Sequence, residues 1–233
     1  MKHLILLAAA ALVLSGAAGA EDKRALPGRN SYANPSAAIA AEIAFAQLAQ
    51  EKGQWTAFAA TATPDAVMFT PKMVYAQAWL KGRANPPVAV KWQPHEVWSS
   101  CDGSLILSHG AWQRPNGSGY FTTIWQRQKK GDYKWVLDHG DDLKAPLAAP
   151  EMLSAHIADC PAKPLRPVAV KDTKSKVLPP LDPAKRSGKS DDGTLSWVVT
   201  VDPSGARNLS VEWSKDGSTQ PALIEQVAAA SAG

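Results

Sequence analysis

The chain has 233 residues and 45% of them are hydrophobic, enough to pack one large domain or a domain with a smaller second unit. The formal net charge is +4, and most of the excess lies in residues 161–190, which carry eight basic and two acidic residues. The other segments hold no comparable basic excess, so they offer no clustered basic face for a phosphate backbone. Nucleic acid is therefore not an expected partner.

Residues 1–20 have the pattern of a secretory signal peptide: a short basic start, an apolar run and a small-residue end. The apolar run is much shorter than the roughly 20 residues that a bilayer-spanning helix needs. No later segment is apolar enough to span a membrane. We therefore predict a periplasmic or secreted protein with no membrane span.

Helical signals follow a polar segment, residues 21–33, that we predict to be a loose leader. Asn34 and Pro35 form a helix start, and Ile39, Ile43 and Ala46 recur at helical spacing as far as residue 53. A second short helix is predicted over 54–61. A short strand over 66–69 and a helical turn over 76–81 come next.

From residue 88 onward the sequence predicts an antiparallel meander. Its strands cover 88–100, 105–114, 120–128 and 133–138, with turns at 102–103 and 131–132. A short helix is predicted over 150–160. Residues 161–190, rich in proline and basic residues, are predicted to be an extended linker.

Residues 191–233 are predicted to form a β-hairpin and a short terminal segment, because apolar and polar residues alternate over 195–201 and 209–213. An isolated hairpin is marginal in water. Its apolar face should dock on the preceding domain, on a partner chain or on the final segment. No internal repeat is visible.

Cys101 and Cys160 are the two cysteines of the chain. Disulfides persist in the oxidising compartment that the signal peptide implies, so we predict a Cys101–Cys160 bridge, with two buried free thiols as the alternative. The cysteines lack the partners and spacing of a zinc site. Neither a metal nor another cofactor is expected.

Three stretches carry a family resemblance: Pro-Asp-Ala-Val-Met-Phe at 64–69, Gly-Tyr-Phe-Thr-Thr-Ile-Trp at 119–125, and Gly-Asp-Tyr-Lys-Trp-Val-Leu-Asp-His-Gly at 131–140. Together with the element order, they resemble the nuclear-transport-factor-2-like superfamily, in particular its polyketide-cyclase-like and ketosteroid-isomerase-like members. The resemblance covers residues 34–160. It implies an α+β fold in which a curved antiparallel sheet wraps around N-terminal helices to form a cone, here with a C-terminal β-hairpin extension.

Strand register suggests which side chains lie inside that cone. If Gln128 pairs with Tyr133, alternation places Thr123, Trp125, Val136 and Asp138 on one face, and the resemblance makes this the inner face. Asp138 would then be a carboxylate in an apolar pocket, with a raised pKa and the capacity for acid–base work. The alternative is that Asp138 caps backbone donors or pairs with a cation.

Trp55, Phe69, Tyr75, Thr123, Trp125 and Asp138 are the candidate ligand contacts. Aromatic walls suit a planar or hydrophobic ligand, although the same aromatic residues also fit ordinary core positions. His139 should lie on the opposite face from Asp138. No catalytic residue is assigned beyond the candidate Asp138.

We expect an exported protein that binds a small hydrophobic or aromatic molecule in the cone. The first alternative is an isomerase, cyclase or dehydratase that uses Asp138 as its acid or base. Ketosteroid isomerase activity is not expected, because Thr70 stands where the resemblance places the base and threonine cannot serve as a carboxylate. The second alternative is an envelope assembly or interaction module, with a homodimer formed through the outer sheet face.

Overall fold

The structure is a computed structural model that describes residues 33–161 and 177–229. The predicted signal peptide, nearly all of the leader and the middle of the predicted linker lie outside the described residues. Within the described residues, no helix combines the length and the apolarity that crossing a bilayer requires.

Three helices precede the main part of the sheet, as the sequence predicts. They are α1 (Pro35–Lys52), α2 (Gln54–Thr61) and α3 (Ala76–Leu80). Pro35 occupies the first turn of α1, where its missing N–H is not needed. Gly53 lies between α1 and α2 with a φ of 94°, a conformation that glycine adopts without steric strain. The chain therefore turns sharply and α2 packs back against α1.

Seven strands form the main sheet in the spatial order β2-β1-β6-β5-β4-β3-β7. They are β1 (Ala62–Phe69), β2 (Met73–Tyr75), β3 (Lys91–Ser99), β4 (Leu105–Arg114), β5 (Gly117–Arg127), β6 (Tyr133–Leu143) and β7 (Ser154–Ile157). The β1–β6 and β3–β7 pairs are parallel and the others are antiparallel. The predicted α+β class and curved sheet around N-terminal helices are confirmed. We call α1–α3 and this sheet the cone.

The two faces of the main sheet pack against different partners. The helices pack against the inner face. The core buried between them includes Phe45, Ala49, Met68, Trp125 and Trp135. The outer face carries a separate apolar cluster that continues into the C-terminal part of the chain. The sheet is therefore buried on both sides, and adjacent residues of one strand enter different cores.

The C-terminal part is a four-stranded antiparallel sheet in the order β11-β10-β9-β8. Its strands are β8 (Lys185–Lys189), β9 (Leu195–Val201), β10 (Arg207–Lys215) and β11 (Ser218–Val227). The prediction of a hairpin was incomplete, and the predicted linker contains β8. Strand β8 was missed because Lys-Arg-Ser-Gly-Lys has no apolar alternation; backbone pairing along the edge of β9 forms it.

This C-terminal sheet docks on the outer face of the cone, the first of the three partners considered for it. Leu195, Trp197 and Val199 pack with Trp98, Leu107 and Ile124. Trp197 is only 5% exposed. The homodimer predicted through the outer sheet face is therefore wrong in its placement, because the chain covers that face with its own second sheet.

Two turns of nearly the same sequence join the sheets, a short repeat that the sequence analysis did not detect. Residues 100–105 read Ser-Cys-Asp-Gly-Ser-Leu and residues 190–195 read Ser-Asp-Asp-Gly-Thr-Leu. The backbone N–H of Asp102 donates to Asp192 Oδ2 at 2.8 Å, and that of Asp192 donates to Asp102 Oδ2 at 3.2 Å. Each turn thus makes the same contact to the other, as in a two-fold symmetric interface. These hydrogen bonds fix the C-terminal sheet to the end of the cone.

The segment after the meander is a strand and not the predicted helix. Strand β7 runs parallel to β3, with Ser154 opposite Glu96 and Ile157 opposite Ser99. Pairing with the open edge of β3 overrides the helix-forming composition of this segment. The predicted disulfide is confirmed, since Cys101 is bonded to Cys160 across a sequence separation of 59 residues.

Candidate functional site

The cone is hollow at one end. A cavity of about 460 Å³ opens there, within the size range of small-molecule sites. Aromatic side chains form one part of its wall, among them Phe45, Phe58, Phe69, Trp92, Trp112 and Phe121. Polar side chains also reach it, among them Gln54, Thr123, Asp138, Asp141 and Arg207. The interaction-module hypothesis depended on a filled cone, and this cavity removes that support.

Asp138 lies in the cavity wall at the predicted register. Thr123 pairs with Asp138 and Ile124 with Leu137 across β5 and β6. The Thr123 hydroxyl donates to Asp138 Oδ2 over a long 3.5 Å, and no other hydrogen bond to the Asp138 side chain occurs in the described residues. Burial, together with the nearby Glu42 carboxyl, raises the pKa of Asp138 to about 8. Near neutral pH this side chain is therefore mainly a neutral carboxylic acid.

A bulge shifts the predicted register beyond Ile124. Trp125 pairs with Trp135 and not with Val136, so the extra residue on β6 turns Trp135 inward. Trp125 and Trp135 are both fully buried in the inner core. Val136 packs instead with the outer cluster. The predicted inward position of Val136 is therefore wrong, and Trp125 supports the cavity from behind without lining it.

Glu42 is an inner-face carboxyl that sequence analysis missed. It is fully buried on α1. Trp92 Nε1 donates to its Oε1 at 2.7 Å, and Trp125 Nε1 and Ser108 Oγ donate to its Oε2 at 2.9 and 2.6 Å. Burial raises the pKa of Glu42, and these hydrogen bonds oppose the rise. Glu42 thus holds the two indoles in place and contributes an electrostatic field at Asp138.

The remaining candidate contacts separate into two groups. Phe69 lines the cavity together with Thr123 and Asp138. Trp55 packs edge-on against Trp79, with ring centroids 5.2 Å apart, and belongs to the helical core. Tyr75 lies on the outer side, where its hydroxyl donates to the Pro179 carbonyl at 3.1 Å. Trp55 and Tyr75 are therefore not cavity contacts.

A second polar cluster lies on the opposite face of the same two strands. Glu225 of β11 is 7% exposed; Thr122 Oγ1 and His109 Nδ1 lie 2.5 and 3.1 Å from its Oε1, and His139 Nδ1 lies 2.8 Å from its Oε2. Burial alone would raise the pKa of Glu225, but the hydrogen bonds from His109, His139 and Thr122 lower it to about 2. This cluster fastens the C-terminal sheet to the cone.

Thr70, which stands at the expected isomerase base position, directly follows β1, and its backbone N–H donates to the Lys72 carbonyl. It is not among the cavity-lining residues. Glu42 and Asp138 are inner-face carboxyls of the cone, and neither lies at that position. No group of three or more potential metal ligands occurs within residues 33–161 and 177–229.

Two solved structures are similar to part of this chain. A protein from Parabacteroides distasonis assigned as a ketosteroid isomerase is 13% identical, with a TM-score of 0.38, over 50% of this chain and 98% of its own. An LEH-like epoxide hydrolase from M. tuberculosis is 18% identical, with a TM-score of 0.32, over 47% of this chain and 81% of its own. No protein-family model and no curated protein matches the sequence. These similarities assign no activity to this chain.

Proposed function

We propose that this protein binds a small, largely aromatic or apolar molecule in the cone cavity, oriented by a hydrogen bond from protonated Asp138. The observation that carries the proposal is a carboxyl group that faces a 460 Å³ aromatic cavity with a single 3.5 Å contact from the protein. A buried polar group is costly without a partner. A carbonyl or hydroxyl oxygen of a ligand would supply that partner.

The aromatic walls favour an apolar body for the ligand. Phe45, Phe58 and Trp92 form a cluster of three rings in edge-to-face contacts, with the centroids of Phe58 and Trp92 4.8 and 4.7 Å from that of Phe45 and 6.1 Å from each other. Such contacts fix the rings and leave a preformed apolar surface. Binding to a preformed pocket avoids much of the entropy loss that a flexible site would incur.

The test is a screen of small aromatic carbonyl compounds by quenching of tryptophan fluorescence, repeated on three variants. Asp138→Asn keeps a donor and should retain binding, whereas Asp138→Ala should lose at least about tenfold in affinity. Val90→Trp, at the cavity rim, should weaken binding by filling the mouth. Wild-type affinity should fall above pH 8 as Asp138 ionises, and Asp138→Asn should remove that dependence. Equal affinity in all four proteins would refute the proposal.

Acid–base catalysis by Asp138 is the second candidate, favoured because a pKa of about 8 suits proton transfer near neutral pH. The Asp138→Asn variant separates the two functions, since an amide can bind a ligand but cannot carry the proton. Screening hits are incubated with wild type and variant and analysed by mass spectrometry. Conversion by the wild type alone supports catalysis; unchanged compounds with both support binding alone.

Export to the periplasm or beyond is part of the proposal. It rests on the pattern of residues 1–20 and is supported by the Cys101–Cys160 disulfide. Fractionation of cells that express the full chain, with N-terminal sequencing of the product, tests it. A cytoplasmic product that retains residues 1–20 would exclude export.

A further inference from the structure

Arg207 is the residue through which the C-terminal sheet reaches the cone cavity. It is the first residue of β10, and among the cavity-lining residues it alone comes from beyond residue 161 within the described chain. The two sheets therefore build the mouth of the cavity together. This gives the C-terminal sheet a role beyond covering the outer face.

The Arg207 guanidinium is held by backbone carbonyls and by an aromatic ring. Its Nη2 donates to the Gly140 carbonyl at 3.0 Å and its Nη1 to the Pro71 carbonyl at 3.4 Å. The guanidinium carbon lies 4.6 Å from the centre of the Phe69 ring. Because Gly140, Pro71 and Phe69 all line the cavity, these contacts fix the cation at its edge.

The charge of Arg207 is not neutralised by an ion pair. No carboxylate of the described residues lies within ion-pair distance of it, and its buried Nε–H has no hydrogen-bond acceptor there. Burial lowers the pKa of Arg207, and the charge of Asp141 opposes that shift without forming a pair. An unpaired and partly desolvated cation is costly. An anion at the mouth would offset that cost.

The other charged side chains of the mouth do not supply such an anion. Asp142 is already paired with Arg114 at 3.2 Å. Asp141 makes no ion pair within the described residues and would favour a cation instead. Arg207 has a buried Nε–H without an acceptor and presents a planar set of donors that matches a carboxylate or sulfonate.

We propose that the ligand of the cone is an amphipathic anion, whose carboxylate or sulfonate binds Arg207 at the mouth while its aromatic body lies against the cavity walls. This inference rests on the proposed binding function and adds a charge requirement to it. The ligand then contacts both sheets, and its acidic group selects it over neutral molecules of the same shape.

Two fluorescent probes with the same body test the charge requirement. They are 1-anilinonaphthalene-8-sulfonate and N-phenyl-1-naphthylamine, which differ only by the sulfonate. Wild type should bind the sulfonate at least about tenfold more tightly, as expected for a charge-assisted hydrogen bond. Arg207→Gln should abolish this preference. Arg207→Lys, which keeps the charge but loses the planar fork, should retain part of the preference.

Arg186→Gln is the matched control. Arg186 also joins the C-terminal sheet to the cone, through an ion pair to Asp65 at 2.9 Å, but it does not line the cavity. This variant should keep the full preference for the sulfonate. A loss in Arg186→Gln equal to that in Arg207→Gln would assign the effect to sheet docking and overturn the proposal.

The remaining outcomes separate this inference from the proposed function. Equal affinities in wild type, a preference for the neutral probe, or a preference that survives in Arg207→Gln would refute the role of Arg207. If neither probe binds, or if Val90→Trp weakens neither, the cone is not the binding site and the proposed function fails as well. Binding of the neutral probe that Val90→Trp weakens, with no preference for the sulfonate, would overturn the anion inference alone.

Discussion

Two carboxyl groups lie on opposite faces of β5 and β6, in opposite environments: Asp138 on the inner face and Glu225 against the outer face. On the inner face, Asp138 receives one long hydrogen bond, and burial raises its pKa to about 8. On the outer face, Glu225 receives hydrogen bonds from a threonine and two histidines, and its pKa falls to about 2. Burial acts in the same direction on both groups, so the supply of donors decides the outcome.

This difference distinguishes a group kept for binding from a group kept for stability. Glu225 is saturated by the protein and stabilises the contact between the sheets. Asp138 is undersupplied, which is unfavourable for folding but leaves capacity for a ligand or a proton. Neutral substitutions at the two positions should therefore change stability in opposite directions.

The largest effect is expected for Glu225→Gln. This change removes the negative charge that accepts hydrogen bonds from Thr122, His109 and His139, and it should lower the free energy of unfolding at pH 7 by about 3 kcal/mol, since buried donors then lose a charged acceptor. Urea unfolding followed by tryptophan fluorescence measures it. Glu212→Gln, an exposed position on β10, is the control and should change stability by less than about 0.5 kcal/mol.

The pH dependence sharpens this prediction. Because the folded-state pKa of Glu225 lies below its ordinary value of 4.5, its contribution is complete above that value and is lost as pH falls toward 2. Wild type and Glu225→Gln should therefore converge in stability over that window. A difference that stays constant down to pH 2 would show that the charge of Glu225 is not what joins the sheets.

A smaller effect of opposite sign is expected for Asp138→Asn. The raised pKa means that folding at pH 7 requires Asp138 to take up a proton, so the amide should stabilise the protein by about 1–3 kcal/mol. In wild type, the contribution of Asp138 to stability is fully present below its ordinary pKa of 3.8 and is lost as pH rises toward 8.

The gain in Asp138→Asn should accordingly grow between pH 4 and pH 8 and vanish at the acid end, measured by urea unfolding across that range. Asp132→Asn, in the exposed turn before β6, is the control and should show no such trend. A destabilised Asp138→Asn at pH 7 would mean that the Asp138 carboxylate is stabilised in the fold, and the contrast with Glu225 would disappear.

Sequence patterns located the elements of the cone and the Thr123–Asp138 pairing, because helix spacing, strand alternation and the loop between β5 and β6 are local signals. They did not locate strand β2, the bulge at Val136 or strand β7. A bulge adds one residue to a strand, and here no particular residue type marks its position in the sequence. Strand β7 depends on an edge of β3 that is distant along the chain, so no local pattern announces it.

Glu42 was missed for a different reason. The helical spacing of α1 was recognised from Ile39, Ile43 and Ala46, but Ile43 is 43% exposed, and the buried residues of this helix are Ala38, Glu42, Phe45 and Ala49. Hydrophobic periodicity cannot favour a buried glutamate. Its donors, Trp92, Ser108 and Trp125, come from three strands, so only the folded structure assembles this cluster.

The smallest expected effect tests whether Glu42 tunes Asp138 across the inner core. The Glu42 carboxyl contributes to the raised pKa of Asp138, because a nearby negative charge disfavours a second one. Glu42→Gln keeps the size of the side chain and an acceptor oxygen but removes that charge. The midpoint for loss of ligand affinity at alkaline pH should therefore shift downward by about half a pH unit.

The Glu212→Gln protein should keep the wild-type midpoint. A midpoint that is unchanged in Glu42→Gln would show that burial alone sets the Asp138 pKa, and the two faces would then differ only in their hydrogen-bond donors.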